Sequence, residues 1–404
     1  MNLANAILAV LALLSLALAL WQWFAARRFP LHRRAADFSF SPAITLLKPL
    51  KGCDETTAES LRSWFNQNYT GRTQILFGVA EAGDPVCKIV RELIAENPGR
   101  DAQLVVCNRL SGANAKVAKL VQLEKLARHE LILVSDADVR VPPDFLANVV
   151  EPLRDPEIGL VNCFYRLANP ATLAMQWEAI AINADFWSQV LQAASLEPLD
   201  FALGAVMLTH RKLLEEIGGF SVLADCLADD YQLGHRITQK GHRIALCPVV
   251  VECWDEPMNW SEVWKHQLRW ARTIRVCQPL PYFFSILSNA TFWPLLWLVA
   301  DLSELSATTV RSTDYGFFQT SEIGVRIPWG IIVAIVILLI RIGLARNLQR
   351  RLTPEKHLVS PPWLVPVKDI LQVAAWLGAF AGSTVEWRGR RMKLRRDGTL
   401  VEEK

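Results

Sequence analysis

Charged side chains are missing from four long stretches of the 404-residue chain, although charged residues make up 21% of it. The uncharged stretches are residues 1–26, 276–300, 327–340 and 370–385. A helix of about 20 apolar residues crosses the hydrocarbon core of a bilayer, so these stretches argue against a purely soluble protein. Residues from about 40 to 275 have the mixed composition of a soluble domain. The sequence therefore predicts a soluble domain inserted between membrane segments.

The chain also lacks the cysteine and basic patterns of several protein classes. Its eight cysteines are scattered, and no two form a Cys-x-x-Cys pair. Several lie in apolar runs such as Val105–Cys107, which indicates reduced core residues of a cytosolic domain rather than a disulfide framework or a metal site. There is no zinc-finger spacing and no basic stripe interleaved with aromatic residues, and the net charge is only +3. We therefore expect no nucleic-acid partner.

The first uncharged stretch predicts an N-terminal transmembrane helix over residues 1–26. Leu3–Phe24 is long enough to span a bilayer, and Trp21 and Trp23 lie near its end, where an interfacial aromatic belt is expected. Basic residues follow it, namely Arg27, Arg28, Arg33 and Arg34. The positive-inside rule then places the N-terminus outside and the next domain in the cytoplasm. The alternative, a cleaved signal peptide, lacks a basic n-region and a small-x-small cleavage site.

Residues 40–257 alternate between apolar strands and helices. Strands are predicted at 43–47, 74–80, 103–107 and from Leu131, with helices at about 55–67, 84–96 and 115–128 between them. This order predicts an α/β domain with a mostly parallel sheet between layers of helices, and the order becomes mixed after Pro142–Pro143. Ligands of such sheets bind at the carboxyl ends of the strands.

Two aspartates end the most apolar of these strands, Leu131–Val139. Asp136 and Asp138 are two residues apart, and residues i and i+2 of a strand point the same way, so their carboxylates would lie roughly 6–7 Å apart. Like charges held this close need a counter-charge. Hard oxygen ligands suit Mg²⁺ or Mn²⁺, so a divalent cation that bridges phosphate oxygens is predicted. The alternative is a strand that ends in a solvated polar turn.

Other polar residues fall at neighbouring strand ends. Ser111–Lys116 is a glycine-containing loop that leads into a helix, where backbone amides and the Lys116 side chain could bind a diphosphate. An ordinary helix start is the alternative interpretation. Glu81 and Asp84 are candidates for contacts with a base or ribose, or equally for a turn acid and a helix cap.

Three helical segments follow. An amphipathic helix is predicted at 171–194, with its apolar side in the core; the alternative is that this side faces a lipid acceptor at the membrane surface. Asp229 and Asp230 open a later helix, so that one could cap it while the other points into the cleft; a pair of exposed capping acids is the alternative. In residues 258–278 aromatic and leucine side chains recur every four positions, with arginines including Arg269 on another face. This pattern predicts an interfacial helix on the inner leaflet.

Residues 279–385 form a predicted C-terminal membrane region. Two spans are expected, at 281–300 and 327–345. The segment 363–385 is interrupted by Lys368 and Asp369 and is followed by basic residues, which the positive-inside rule disfavours on the outside. We therefore expect a re-entrant or interfacial helix there, with a further span as the alternative. Residues 386–404 are expected to be a basic cytosolic tail.

Four motifs taken together resemble the ceramide glucosyltransferase family, which consists of membrane-bound, inverting glycosyltransferases with a GT-A-type catalytic domain. The motifs are Lys48–Gly52, Ser135–Asp138, Asp229–Tyr231 and His266–Trp270. Their order and spacing are more specific than any one motif, and the resemblance covers about residues 40 to 280. Bacterial hopanoid glycosyltransferases look similar.

The resemblance implies a role for each matched residue. Asp230 would be the general base, and Asp138 with Asp136 would hold Mn²⁺ or Mg²⁺. The donor site would contain a uracil-contacting acid, at Glu81 or Asp84, and five further residues, namely Lys116, Asp136, His266, Arg269 and Trp270. Arg269 and Trp270 would also close the acceptor site. The family usually has aspartate at the first acidic position and glutamine or arginine where this chain has His266, so both positions depart from its pattern.

The function expected from this resemblance is transfer of glucose from UDP-glucose to the primary hydroxyl of ceramide. An inverting transfer needs a carboxylate to accept the proton of the acceptor hydroxyl, and positive charge near the departing diphosphate. The alternatives are a UDP-N-acetylglucosamine-dependent hopanoid glycosyltransferase, a processive polysaccharide synthase, for which the spans are too few, and a non-catalytic membrane scaffold. The expected partners are a UDP-sugar, a lipid acceptor and the bilayer.

Overall fold

The computed structural model describes residues 3–108, 111–313, 329–353, 359–387 and 390–402. The helices are α1 Leu3–Arg28, α2 Thr57–Phe65, α3 Val86–Glu96, α4 Ala115–Glu124, α5 Phe145–Val150, α6 Leu173–Ile180, α7 Trp187–Ala194, α8 Arg211–Glu216, α9 Asp229–Gln239, α10 Trp260–Cys277, α11 Pro279–Phe284, α12 Phe292–Thr313, α13 Trp329–Leu352 and α14 Leu364–Phe380. The strands are β1 Ile44–Pro49, β2 Thr73–Val79, β3 Asp101–Val106, β4 Leu131–Ser135, β5 Val139–Arg140, β6 Ile158–Leu167, β7 Val206–His210, β8 Arg243–Cys253, β9 Thr384–Trp387, β10 Arg390–Leu394 and β11 Leu400–Glu402.

A mixed eight-stranded sheet organises residues 44–253, in the order β3-β2-β1-β4-β7-β6-β8-β5. Strands β3, β2, β1 and β4 are parallel. Strand β7 is antiparallel to β4 and β6, while β6 and β8 are parallel. The prediction of a mostly parallel sheet between helices is confirmed. The carboxyl ends of β1, β2 and β4 lie at one edge of the sheet, and this edge carries the predicted site residues.

Both faces of the sheet are buried, which explains the continuous apolar runs of its central strands. In β1, Leu46 packs into one core together with α2 and α3, whereas its neighbour Leu47 packs into the opposite core with α4. In β4, Leu133 likewise packs into the first core and Ile132 into the second. Each such side chain, once buried, contributes roughly 1.5–3 kcal/mol, so the two cores hold the strand ends rigidly.

The predicted helix at 171–194 is interrupted. Helices α6 and α7 are joined by a π-helical turn, Ala181–Phe186. Trp177 and Trp187 are buried, and they belong to a third core shared with the end of α1 and with α13 and α14. The apolar side of this segment therefore lies in the core, between the sheet and the apolar helices.

Within the described residues, two helices, α1 and α13, are long and apolar enough to cross a membrane. A bent pair, Pro279–Ser288 with Phe292–Glu304, would make a third span if its two parts, which meet at 47°, act as one. The first two residues of the predicted span 327–345 lie outside the described residues, and α13 continues that span to Leu352. The number of spans, their orientation and the nature of 363–385 stay predictions.

The expected basic tail contains a small fold of its own. Strands β9, β10 and β11 form an antiparallel sheet, and residues 388–389 and 403–404 of this segment are outside the described part. Val385, Met392, Leu394 and Leu400 form its core together with Leu227 of the preceding domain. Alternate side chains of these strands are apolar and are covered by the domain, so this part of the segment is folded.

Candidate active site

A buried lysine holds the turn that carries the two predicted metal-binding aspartates. Strand β4 ends at Ser135, so Asp136 and Asp138 lie in the turn before β5 rather than on the strand. Lys48 of β1 is fully buried, and its Nζ donates to the backbone oxygen of Asp136 at 2.6 Å and to Ser135 Oγ at 3.3 Å. Burial lowers the pKa of Lys48 to about 7, although Asp138 and Asp136 act in the opposite direction. Lys48 therefore positions the turn.

The turn concentrates negative charge. Burial, together with the charges of Asp255 and Asp136, raises the pKa of Asp138 to about 7. Asp255 follows β8, and burial raises its own pKa despite the opposing charge of His266. The sequence analysis missed Asp255, because the strand that leads to it pairs only with residues distant in sequence.

Lys116 connects this turn to the second acidic pair. Its Nζ lies 2.8 Å from Asp136 Oδ1 and 3.1 Å from Asp229 Oδ2. The Lys116 and Asp229 side chains are 9% and 10% exposed, whereas Asp136 is 38% exposed and open to a ligand. Burial acts to lower the pKa of Lys116, but Asp136 and Asp229 outweigh it and hold that pKa above its ordinary value. Lys116 thus stays charged between two carboxylates.

The loop before Lys116 is shaped for this position. Gly112 has φ +95°, and a side chain there would meet the backbone oxygen of Ala224. Asn114 caps α4 by accepting from the backbone amides of Lys116 and Val117, at 3.0 and 3.2 Å. The predicted helix start at this loop is confirmed, and Asn114 supplies its cap.

Asp229 and Asp230 at the start of α9 have separate environments. Neither acts as the N-cap, since Ala228 holds that position and Asp229 pairs with Lys116 instead. Asp230 is half-buried, and a side chain at Gly204 would lie 2.8 Å from its Oδ2, so the glycine leaves room beside this carboxylate. Burial and the charge of Asp229 raise the pKa of Asp230 to about 6, against the opposing effect of Lys116.

Helix α10 carries the predicted box. It begins with a capping box, in which Asn259 and Glu262 each accept from the other's backbone amide. His266 Nδ1 lies 2.6 Å from Glu178 Oε1, and Glu178 is 1% exposed. The centroid of the Trp270 ring lies 4.7 Å from that of the His266 ring and 6.3 Å from that of the Phe186 ring.

His266 and Trp270 therefore contact each other, and each also contacts a residue of the 173–186 segment, Glu178 or Phe186. His266 is also close enough to Asp255 to affect its pKa. Arg269, one turn along α10, is half-buried. Glu178 was not predicted from the sequence, because it lies in an apolar helix without a recognisable motif.

The two candidates for the uracil contact, Asp84 and Glu81, differ in their hydrogen bonds and exposure. Asp84 accepts from the backbone amide of Gly52, at 3.1 Å to each oxygen, and from that of Val86 at 3.1 Å. It therefore ties the loop after β1 to the loop after β2. Glu81 is exposed at the same edge of the sheet. Both residues lie at the end of β2, two strands away from Asp136 along the sheet.

The C-terminal sheet holds the segment just before the acidic pair. The backbone amide of Leu400 donates to Asp225 at 2.7 Å, and that of Leu227 donates to Gly398 at 3.2 Å. Asp225 in turn accepts from the amide of Ala113 at 2.9 Å, next to the Lys116 loop. On the other side, Arg272 of α10 donates to the backbone of this sheet. The small sheet thus joins three elements of the candidate site.

The residues present fit a divalent cation in part. No group of three or more His, Cys, Asp or Glu side chains able to hold a metal occurs within the described ranges. Asp136 and Asp138 offer two carboxylates, and Mg²⁺ is often held by one or two carboxylates with substrate phosphates as the other ligands. The crowded charge that raises the pKa of Asp138 is also what a cation would relieve.

Comparison with known proteins places this arrangement in a family. Residues 7–400 match the family described as Glycosyl transferase family 21. The chain belongs to glycosyl transferase family 21. The resemblance inferred from the four motifs is thereby confirmed, and the prediction of a glycosyltransferase is confirmed at the level of the family.

Curated relatives of this family 21 chain include ceramide glucosyltransferases 3 and 1 of Caenorhabditis elegans. They are 23% identical to it over 220 and 227 residues, which cover 54% of this chain in each case and 48% and 47% of the relatives. The ceramide glucosyltransferase of Candida albicans is 32% identical over 125 residues, 28% of this chain and 23% of that protein. The chain spans about half the length of the Caenorhabditis relatives it matches.

A solved structure shares the fold. The mannosyltransferase PcManGT of Pyrobaculum calidifontis, determined in complex with GDP-Man and Mn²⁺, has a TM-score of 0.53 and 20% identity. The similarity covers 94% of the family 21 chain and 98% of the mannosyltransferase. The GT-A-type fold, with apolar helices attached, is therefore confirmed.

Proposed function

We propose that this chain transfers glucose from UDP-glucose to the primary hydroxyl of ceramide with inversion, giving β-glucosylceramide. The observation that carries the proposal is the half-buried carboxylate of Asp230 beside the charged chain Asp229–Lys116–Asp136, in a member of family 21. The names of the curated relatives support ceramide as the acceptor.

Asp230 is the general base of the proposed reaction. Its carboxylate accepts the proton of the acceptor hydroxyl while that oxygen bonds to the anomeric carbon of the sugar. The bond from the anomeric carbon to the diphosphate breaks in the same displacement, and UDP leaves with the electron pair. A pKa of about 6 keeps Asp230 ionised at neutral pH and still basic enough to accept a proton.

Positive side chains bind the departing diphosphate. Lys116 is already held in its charged form at the sheet edge, and its distance of 2.8 Å from the exposed carboxylate of Asp136 places it beside the open part of the site. Arg269 and His266 complete the donor side from α10, and Trp270 of the same helix contributes to the donor and the acceptor sides. Glu81 or Asp84 contacts the uracil from the neighbouring strand end.

A divalent cation, Mn²⁺ or Mg²⁺, would be held by Asp138 and Asp136 together with the donor's diphosphate oxygens. When bound, it would neutralise charge on the diphosphate as UDP departs. The protein's own contribution is to fix these two carboxylates, through Lys48 under the turn and Lys116 beside it.

The acceptor reaches the site from the bilayer in this proposal. Helix α1, the 281–300 segment and α13 cross the membrane, the N-terminus lies outside, and the catalytic domain faces the cytoplasm. Helix α10 lies on the inner leaflet, and α14 re-enters it. The aromatic rings of Phe186 and Trp270 then line the approach of the lipid to Asp230.

A donor and acceptor panel tests the proposal. Purified full-length protein with Mn²⁺ would be assayed with UDP-glucose, UDP-galactose and UDP-N-acetylglucosamine against ceramide, diacylglycerol and a hopanoid. We expect turnover with UDP-glucose and ceramide. Turnover only with UDP-N-acetylglucosamine and the hopanoid would refute glucose and ceramide as the substrates but would still agree with the proposed mechanism. Metal binding without turnover on any pair would support a scaffold and refute the proposed function.

A further inference from the structure

A π-helical turn in the middle of the segment α6–α7 has three different neighbours. Asn183 exchanges two hydrogen bonds with the backbone of Leu167 in β6, at 2.9 and 3.1 Å. Phe186 contacts the rings of Tyr165, at 5.5 Å, and Trp270, at 6.3 Å. Asp185, which lies between Asn183 and Phe186 in the sequence, contacts side chains of α13 and α14. Single π-helical turns within α-helices are rare and frequently mark functional sites.

Asp185 joins a buried network of four charges. Arg341 of α13 donates to both oxygens of Asp185, at 2.9 and 3.0 Å, and to both oxygens of Asp369 in α14, at 2.7 and 2.8 Å. Lys368 contacts Asp185 as well and lies 3.5 Å from Asp369. All four side chains are at most 8% exposed, and their two positive and two negative charges balance.

The network also reaches the segment before α12. Thr291 donates to Asp369 Oδ2 at 2.6 Å, and Asn289 donates to the backbone oxygen of Asp369 at 2.9 Å. One set of contacts therefore connects the π-helical turn with α13, with α14 and with the segment that leads into α12. Lys368 and Asp369, which interrupt the apolar sequence of 363–385, have their partners here.

Stability alone does not account for such a network. Apolar residues of similar volume often replace a buried ion pair without loss of stability, whereas ionisable residues among membrane helices generally mark function. The charged network fixes relative orientation. The planar guanidinium of Arg341 donates to the carboxylates of both Asp185 and Asp369, and this geometry restricts how the two carboxylates can be arranged. The network thus fixes the π-helical turn relative to the helices that face the bilayer.

We propose that Asp185 is a positioning residue for the lipid acceptor. Through Arg341 and Lys368 the apolar helices hold the π-helical turn, and the turn holds Phe186 against Trp270 at the acceptor side of the site. The inference rests on the proposed function, since it assigns this aromatic wall to the acceptor. Asp185 touches neither substrate and acts through Phe186.

Two charge-balanced double variants test the proposal. Asp185→Asn with Lys368→Met removes one negative and one positive charge and releases the turn. Arg341→Met with Asp369→Asn removes the same number of charges but keeps the pair between Asp185 and Lys368. Both would be purified as full-length protein in detergent micelles.

The first variant should raise the KM for ceramide at least tenfold, while hydrolysis of UDP-glucose by water stays within twofold of wild type. Phe186→Ala should likewise raise the KM for ceramide. The Arg341→Met/Asp369→Asn variant removes one of the two partners of Asp185 and keeps the other, so it should raise the KM for ceramide less than the first variant does. An unchanged KM in the first variant, or a larger effect in the second than in the first, would overturn the proposal.

Hydrogen–deuterium exchange provides a readout that does not depend on activity. The amides of residues 181–187 should exchange faster than wild type in the Asp185→Asn/Lys368→Met variant, and by a smaller factor in the other variant, which keeps the Lys368 contact. If the wild-type protein turned over no donor, the proposed function would fail, yet the exchange result would still decide whether Asp185 holds the turn. Equal exchange in both variants would refute the positioning role.

Discussion

Asp230→Asn should separate catalysis from stability in this protein. The amide keeps the size of the side chain but cannot accept the proton of the acceptor hydroxyl. General-base catalysis contributes roughly 10²- to 10⁴-fold to a rate, so kcat for transfer should fall by about that factor. Donor binding should be nearly unchanged, because Lys116 and the Asp136–Asp138 turn stay in place.

The same change should not lower stability. Burial and Asp229 raise the pKa of Asp230 from 3.8 to about 6, and this difference of about two units corresponds to about 3 kcal/mol at most, at 1.36 kcal/mol per unit. Because the folded-state pKa is raised, the ionised carboxylate destabilises the fold above pH 6, and the penalty disappears as the pH falls below 3.8. Asparagine removes the penalty, so the melting temperature at pH 7.5 should be equal or higher.

Asp229→Asn is the matched control. Asp229 pairs with Lys116, and breaking a buried pair by removing one partner typically costs about 3–5 kcal/mol. We therefore expect the neighbouring aspartate to give the opposite pattern, a clear loss of thermal stability. Transfer, donor affinity by calorimetry and melting temperature would be measured for both variants.

The wild-type pH profile provides an independent check. A base with a pKa of about 6 is protonated below that pH, so kcat should fall about tenfold per unit below pH 6 and level off above it. The reasoning would be refuted if Asp230→Asn kept wild-type turnover, or if it lost stability to the same extent as Asp229→Asn.

Three further predictions concern neighbouring parts of the site. Asp138→Ala should abolish the Mn²⁺ dependence of UDP-glucose binding measured by calorimetry, as EDTA should in the wild type, and an unchanged affinity would contradict the metal role. Lys116→Met leaves two carboxylates without their counter-charge and should lower the melting temperature and weaken UDP binding more than tenfold; wild-type affinity would count against a diphosphate contact. Leu400→Ala should lower kcat with a smaller change in the KM for the donor, because the C-terminal sheet holds the segment before Asp229. The control is Val150→Ala, a comparable truncation in another core of the domain, which should leave kcat unchanged.

Local sequence was sufficient where short-range physics decides the structure. The apolar runs of β1, β2 and β4 are buried on both faces, so their composition identifies them as strands. The glycine-containing loop 111–116 is a local signal as well, and it correctly indicated the start of α4, where the structure adds the cap at Asn114. The carboxyl ends of these parallel strands then brought the predicted residues to one edge.

Long-range pairing decided what the sequence analysis missed. Strand β8 was not predicted, although it forms an edge of the site and leads to Asp255. Glu178 lies in a largely apolar helix, and its contact with His266 joins residues that are far apart in the chain. The sequence analysis assigned Asp136 and Asp138 to the strand, because the end of β4 at Ser135 is set by its pairing with β1 and β7, which are distant in the chain.

The sequence by itself determined the fold class, the candidate membrane segments and the identity of most candidate site residues, since apolar periodicity and motif order are properties of the chain. Only the tertiary structure decided how the charges are paired. It shows that Asp229 pairs with Lys116, whereas Asp230 is the half-buried carboxylate beside that pair. It also shows that Lys368 and Asp369, which interrupt an apolar stretch of the sequence, form half of a charge-balanced network. The physical reason is that a charge becomes acceptable in a buried position only through a partner, and here each partner comes from a distant part of the chain.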